Sequence, residues 1–141
     1  MTPLIDALNV RAVHAYERRD ASALPGLRSL GAVMALHGIA ENGGLVGGGV
    51  ENVFFSDDLR SIEDAVEGYR WLGLSDVAEL VTRAREEYLR FRPTGWEELS
   101  ETDASLWDQL DSAYSAIAPS ERLEAAVAAH LHEIAPELLP S

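Results

Sequence analysis

The chain has 141 residues, with 24 acidic side chains against 11 basic ones, no cysteine and a net charge of −13. That length suits a single domain, expected over residues 1–141, whose core needs neither metal nor disulfide. Absent cysteine excludes disulfide frameworks, thiolate zinc sites and thiol catalysis, and two polyanions repel, which argues against direct binding of nucleic acid.

Helical spacing dominates the chain. Leu4, Leu8, Ala12 and Ala15/Tyr16 predict a first helix over about 3–19. Pro25 suits a first helical turn, and Leu27, Leu30, Val33/Met34 and His37 carry a second helix to about Ala40. The segment Glu41 to Asn52 holds five glycines in seven residues, 43–49, and is expected to be a loop with a flexible centre, because glycine loses the most backbone entropy in a helix. Val53-Phe54-Phe55 fits a short extended piece or a helix start, and Ser56-Asp57-Asp58 offers an N-cap. Leu59, Ile62, Val66, Tyr69 and Leu72 mark a third helix closed by Gly73. Ser75-Asp76 caps a fourth, in which Val77, Leu80/Val81, Ala84, Tyr88 and Phe91 share a face. Leu99, Leu106, Leu110, Ala113 and Ile117 define a fifth, broken near Thr102. Pro119-Ser120-Glu121 then stops one helix and caps the next, a last helix through Leu123, Val127, Leu131 and Ile134. No alternating strand pattern appears. The expected fold is an all-α, single-domain bundle of about six helices with a glycine-rich loop in the middle.

The charge is unevenly placed. Residues 1–50 are neutral, residues 51–92 carry −4, and residues 93–141 carry −9 with Arg122 as their one basic residue. All basic residues are Arg, so a Walker phosphate loop and Schiff-base chemistry, which need lysine, are excluded. No apolar run reaches the ~20 residues of a membrane span. Met1 to Val10 carries Asp6 and no basic cluster, which reads against a signal peptide. A cytoplasmic protein with no membrane partner is expected.

Candidate chemistry is sparse. Gly47 and Gly49 resemble the opening of a dinucleotide fingerprint, but Asn52 stands where the third glycine belongs and no strand precedes it. His130 and His132 lie on opposite sides of a helix, and no Glu-x-x-His occurs, so no metal or cofactor is expected. Ser75 lacks the closing glycine of a nucleophile elbow, and carboxylate pairs such as Asp57/Asp58 and Glu63/Asp64 fit a solvated face. Trp71 and Trp107 fall beside apolar stripes, whereas Trp96 follows a Pro-Gly turn and precedes an acidic run. That run comprises Glu97, Glu98, Glu101, Asp103, Asp108 and Asp111. If helical, Glu97 and Glu101 lie about 6 Å apart, and Asp108 and Asp111 continue the row. Trp96 and these six carboxylates are the candidate partner-binding residues; an ordinary solvated face is the competing reading.

One resemblance rests on an ordered set of motifs. An apolar helix ending Met34-Ala-Leu-His-Gly-Ile-Ala-Glu41 is followed by Asn42-Gly43-Gly44 and the aromatic pair Phe54-Phe55. A helix ending Tyr69-Arg-Trp-Leu-Gly-Leu74, an Ala-containing helix from Val77 and Leu106-Trp-Asp-Gln-Leu-Asp-Ser-Ala-Tyr114 come next. Over about residues 30–115 this resembles a family of small bacterial all-α proteins, catalogued mainly as a domain of unknown function, whose named representative is a DNA mimic. Leu45 replaces the family's aromatic, Gly47–Asn52 looks inserted, Ser56 stands where Asn is frequent, and Leu74 replaces Ala.

The resemblance implies a non-enzymatic protein whose carboxylates occupy the DNA-binding surface of a basic partner, and it is compatible with a homodimer. The alternatives are an immunity- or antitoxin-like inhibitor of one basic toxin, a small-ligand or enzyme domain using the glycine loop with His37 and Glu41, and a helical domain with no charge-driven role. Asn42, Gly43, Gly44, Phe54 and Phe55 read as a structural motif, since Asn and Gly adopt positive φ at helix ends.

Overall fold

In a computed structural model, which describes residues 2–57 and 59–139, the apolar stripes of the sequence converge on one core. Eight α-helices carry the described chain: α1 Pro3–Glu17, α2 Pro25–Gly43, α3 Glu51–Asp57, α4 Arg60–Trp71, α5 Ser75–Phe91, α6 Glu101–Ile117, α7 Ser120–Ala129 and α8 Leu131–Ile134. A π-helical segment, Leu45–Val50, joins α2 to α3, and a 3-10 turn, Pro136–Leu138, follows α8. No strand occurs among the described residues. Helix α2 is the hub, packing against α1, α4, the π-helical segment and α8; α4 packs on α5, and α5 on α6. Leu30, Val33, Ile62, Tyr69, Val77, Tyr88, Val127 and Ile134 are fully buried where these faces meet.

The expected glycine loop is overturned. Residues 45–50 are π-helical, and Leu45, Val46 and Val50 are completely buried. Glycine is used here for close approach rather than for freedom. A Cβ at Gly48 would lie 2.8 Å from the Gly43 backbone and the Ile39 carbonyl, one at Gly49 2.9 Å from Leu36, and one at Gly47 3.2 Å from the Trp107 ring. The segment therefore presses its backbone against α2 and α6, and burial of its three apolar side chains offsets the backbone entropy that a local propensity argument counts. Val53, Phe54 and Phe55 continue in α3 rather than in an extended piece.

Several helix ends also differ. Helix α6 runs unbroken through Thr102 and starts only at Glu101, because the Ser100 hydroxyl accepts the Asp103 N–H and caps it. Glu97 and Glu98 consequently stand outside any helix. The last helix is two, α7 and α8, separated at His130. Ser75 provides no side-chain cap to α5, with Leu74 in that position, and Asp76 instead holds Arg122 in two contacts of 2.8 and 2.7 Å that tie α7 to α5. The Arg122 partner keeps the Asp76 carboxyl below its usual range. Asp57 does serve the start of α4, accepting the Ser61 N–H, whereas Leu59 holds the cap position with φ 67; Asp58, expected to share that role, lies outside the described residues.

Gly48→Ala is expected to cost about 1–3 kcal/mol through overpacking, lowering the melting temperature by several degrees. Gly38→Ala, in mid-α2 with nothing within 4 Å of the added Cβ, is expected to gain about 0.5–1 kcal/mol. Thermal and urea unfolding of both variants measure the difference; equal destabilisation would contradict the close-packed segment.

Candidate functional site

The connection between α5 and α6 is short and tightly made. Arg92 to Gly95 form a turn closed by the Gly95 N–H on the Arg92 carbonyl at 2.9 Å. Gly95 has φ 86, and a Cβ there would strike Phe55 at 2.3 Å, so only glycine fits on both counts. Glu97 folds back on the turn: its carboxylate accepts the Thr94 N–H at 2.9 Å and the Thr94 hydroxyl at 2.6 Å. Those bonds, led by the hydroxyl, hold the Glu97 carboxyl below its usual range. Between the two stands Trp96, 80% exposed, with its ring 5.5 Å from Phe55. Phe55 meets Phe54 edge-on at 5.2 Å, and Phe54 meets buried Tyr88 at 5.2 Å. An aromatic ladder thus runs from the core to the surface, and the Phe54-Phe55 pair is its middle.

The acidic run is split by the fold rather than aligned in one row. Asp103 is paired with Arg90 at 3.0 Å, and Arg90 also binds Glu87. Asp111 turns inward, accepting the Val46 N–H at 2.7 Å at the start of the π-helical segment. Burial raises the Asp111 carboxyl above its usual value. Glu98, Glu101 and Asp108 are exposed and have no ion pair or hydrogen bond among the described residues. The spacing argument treated all six alike; the structure brings Trp96, Glu98, Glu101 and Asp108 to the open surface of the turn and α6, and gives Glu97, Asp103 and Asp111 internal work. Glu79 and Glu86, exposed and without a partner among the described residues, stand on the neighbouring α5.

The Asn42-Gly43-Gly44 motif ends α2 as its residue types suggest. The Asn42 side-chain amide donates to the Gly38 carbonyl at 3.0 Å, and Gly44 takes φ 86 to turn the chain. A Cβ at Gly44 would lie 2.4 Å from the Asp111 carboxylate, so the motif also makes room for that contact.

Beneath the motif lies a polar chain that sequence reasoning did not assemble. His37, 2% exposed, sets Nδ1 2.8 Å from the Tyr114 hydroxyl, which is 2.5 Å from the Tyr69 hydroxyl. On the other side of the ring, Nε2 is 2.8 Å from a Glu41 carboxylate oxygen, off the hydrogen-bond axis, so Glu41 acts chiefly by charge. Ser120 donates to that same oxygen at 3.1 Å, joining α7. The carboxylate favours the ring proton on Nε2, which leaves Nδ1 to accept from Tyr114 and Tyr114 to accept from Tyr69. Burial pushes both tyrosines well above the usual phenol range. Each of the three residues sits on an apolar helical stripe, and a polar group on such a stripe must find a partner. That was the available signal.

Two clefts, one of about 850 Å³ and one of about 310 Å³, are lined by residues outside 37–52. Among the described residues no three His, Asp or Glu side chains gather as a metal site, and no helix is long and apolar enough to cross a membrane. A family model described as DMP19-like protein matches residues 22–133. No curated protein and no solved structure matches the chain.

Burial lowers the His37 pKa from its ordinary value of 6.5, with the Glu41 charge opposing. The unfolded chain then binds more protons, so stability is full above about pH 6.5 and falls as the pH drops from there towards the depressed folded value. Protonation forces Nδ1–H to donate to Tyr114, which turns that hydroxyl onto Tyr69 and leaves the buried Tyr69 O–H without an acceptor. Tyr114→Phe should cost about 1–3 kcal/mol at pH 7.5 by stranding the same groups. Urea unfolding from pH 7.5 to 5 measures both effects; an acid sensitivity unchanged in His37→Gln would contradict the assignment.

Proposed function

The chain belongs to the DMP19-like protein family, and on that premise we propose that it is a non-enzymatic, cytoplasmic binding protein that presents carboxylates to the DNA-binding surface of a basic partner protein. The observation that carries the reading is the exposure of Trp96, Glu98, Glu101 and Asp108 on the α5–α6 connection and on α6: three carboxylates with no partner among the described residues and an aromatic ring 80% exposed. A net charge of −13 steers a basic partner towards the molecule over long range. This acidic edge is preorganised, since Ser100 caps α6, Glu97 locks the turn and Asp111 anchors the helix from behind. A rigid display loses little entropy on binding, and an exposed Trp on a firm base is the side chain type that most often dominates protein interfaces.

The test is capture of binding proteins from a native bacterial lysate on the immobilised chain, at low and high salt, followed by competition with duplex DNA. The expected result is salt-sensitive capture of DNA-binding proteins that duplex DNA displaces. Glu98→Gln, Glu101→Gln and Asp108→Asn together should weaken capture about tenfold, as three surface pairs at up to ~1 kcal/mol each allow. Capture of a single basic protein that DNA fails to displace would replace mimicry by inhibition of one toxin. No salt-sensitive capture would overturn both.

A further inference from the structure

A cleft of about 850 Å³ lies on the side of the bundle formed by the end of α1, the start of α2, the end of α3 and α4. None of its lining residues comes from α6 or from residues 92–100, so it is a separate place from the acidic edge. Its volume falls within the range of small-molecule sites.

Three arginines and four carboxylates line the cleft. Arg19, Arg28 and Arg60 all face this cleft, and none forms an ion pair with a described residue. With four carboxylates in the same lining, three guanidinium groups that form no ion pair with a described residue leave room for an anionic ligand. One further feature points the same way. The Arg28 Nε is buried with no hydrogen-bond partner, an unmet donor at the wall. Arg19 takes φ 51 as the left-handed residue that closes α1, its N–H and that of Asp20 returning to the Tyr16 and Ala15 carbonyls, which turns its side chain out at the cleft end of the helix. The N-terminus of α2 also opens here through Pro25, Arg28 and Ser29. It has no acidic residue in its first turn and no side-chain cap, so its dipole favours an anion.

The rest of the wall defines what the anion is attached to. Trp71, whose ring also meets His130 at 4.9 Å, and Tyr16 line the cleft with aromatic surface. The Tyr16 hydroxyl donates to one oxygen of Asp64 at 2.7 Å, which fixes that carboxylate; its second oxygen has no hydrogen bond among the described residues. Asp57 is occupied by Ser61, while Glu17 and Glu67 are exposed at the rim. Guanidinium groups for a phosphate, a fixed carboxylate for sugar hydroxyls and aromatic faces for a base are the three elements of nucleotide recognition. A simple anion would use the first alone; a mononucleotide adds the contacts of the other two, which offset repulsion of its phosphate by the lining carboxylates.

We propose that this cleft binds a mononucleotide, its phosphate held by Arg19, Arg28 and Arg60, its ribose by Asp64 and its base against Trp71 and Tyr16. Isothermal titration of the full chain with adenosine monophosphate, inorganic phosphate and adenosine tests it. The expected result is saturable one-to-one binding of adenosine monophosphate, with phosphate and adenosine each at least about tenfold weaker. Arg28→Ala and, independently, the exposed Arg60→Ala should each weaken nucleotide binding about fivefold or more, with helical circular dichroism and melting temperature of Arg60→Ala unchanged. Phosphate as tight as the nucleotide, affinity insensitive to both arginine variants, or no saturable binding up to about 10 mM nucleotide would each overturn the proposal. None of these results bears on capture of basic proteins by the acidic edge, so the two readings fail separately.

Discussion

The constraint on which this structure depends is backbone-to-backbone contact between the π-helical segment and the end of α2. Gly48 meets Gly43 and the Ile39 carbonyl at distances no side chain tolerates. That contact puts Leu45, Val46 and Val50 into the core. It also creates a need, because the first amides of any helical segment lack internal acceptors. Asp111 meets that need at Val46 from 65 residues away, and Trp107 lies over Gly47. Helix α6 is thus docked by a carboxylate and a ring on its inner face, which determines which of its acids look outward. Wide helical turns recur where function places a demand on the fold; here the demand is the position of α6.

Much of the bundle was legible in the chain. Helix α5 runs over Ser75–Phe91 as expected, because its stripe is regular and Gly73 and Pro93 bracket it. Helix α2 starts at Pro25 for the reason that proline suits a first turn. The glycine run was misread because propensity is a local property, whereas burial against α2 and α6 is a long-range one. Asp111 was misread for a related reason: on a helical projection it continues the row of Asp108, and only the third dimension separates an exposed acid from one that caps a distant amide. The His37–Tyr114–Tyr69 chain spans 77 and 45 residues of sequence and has no spacing signature. What the sequence did contain was three polar groups on three apolar stripes, a requirement for partners without their addresses.

The molecule is electrostatically two-sided in a way that net charge alone conceals. Towards the C-terminal half, arginines are spent on carboxylates: Arg90 on Glu87 and Asp103, Arg92 on Glu51, Arg122 on Asp76. What is left over there is acid. Around the start of α2, three arginines without an ion pair among the described residues stand among four carboxylates. Exposed pairs of this kind add little stability individually. Their effect is to decide which charges stay available, and so to divide a uniform-looking excess of acid into surfaces of different character.

Trp96 has an optical consequence. Trp71 and Trp107 are partly buried against the core, whereas Trp96 stands almost wholly in water at the outer end of the aromatic ladder. Its indole therefore emits to the red of the other two and is the one most accessible to a dissolved quencher. An anionic quencher such as iodide is repelled by the neighbouring carboxylates, while a neutral one such as acrylamide is not. The contrast between the two reads the local potential at the acidic edge directly, in the unmodified protein.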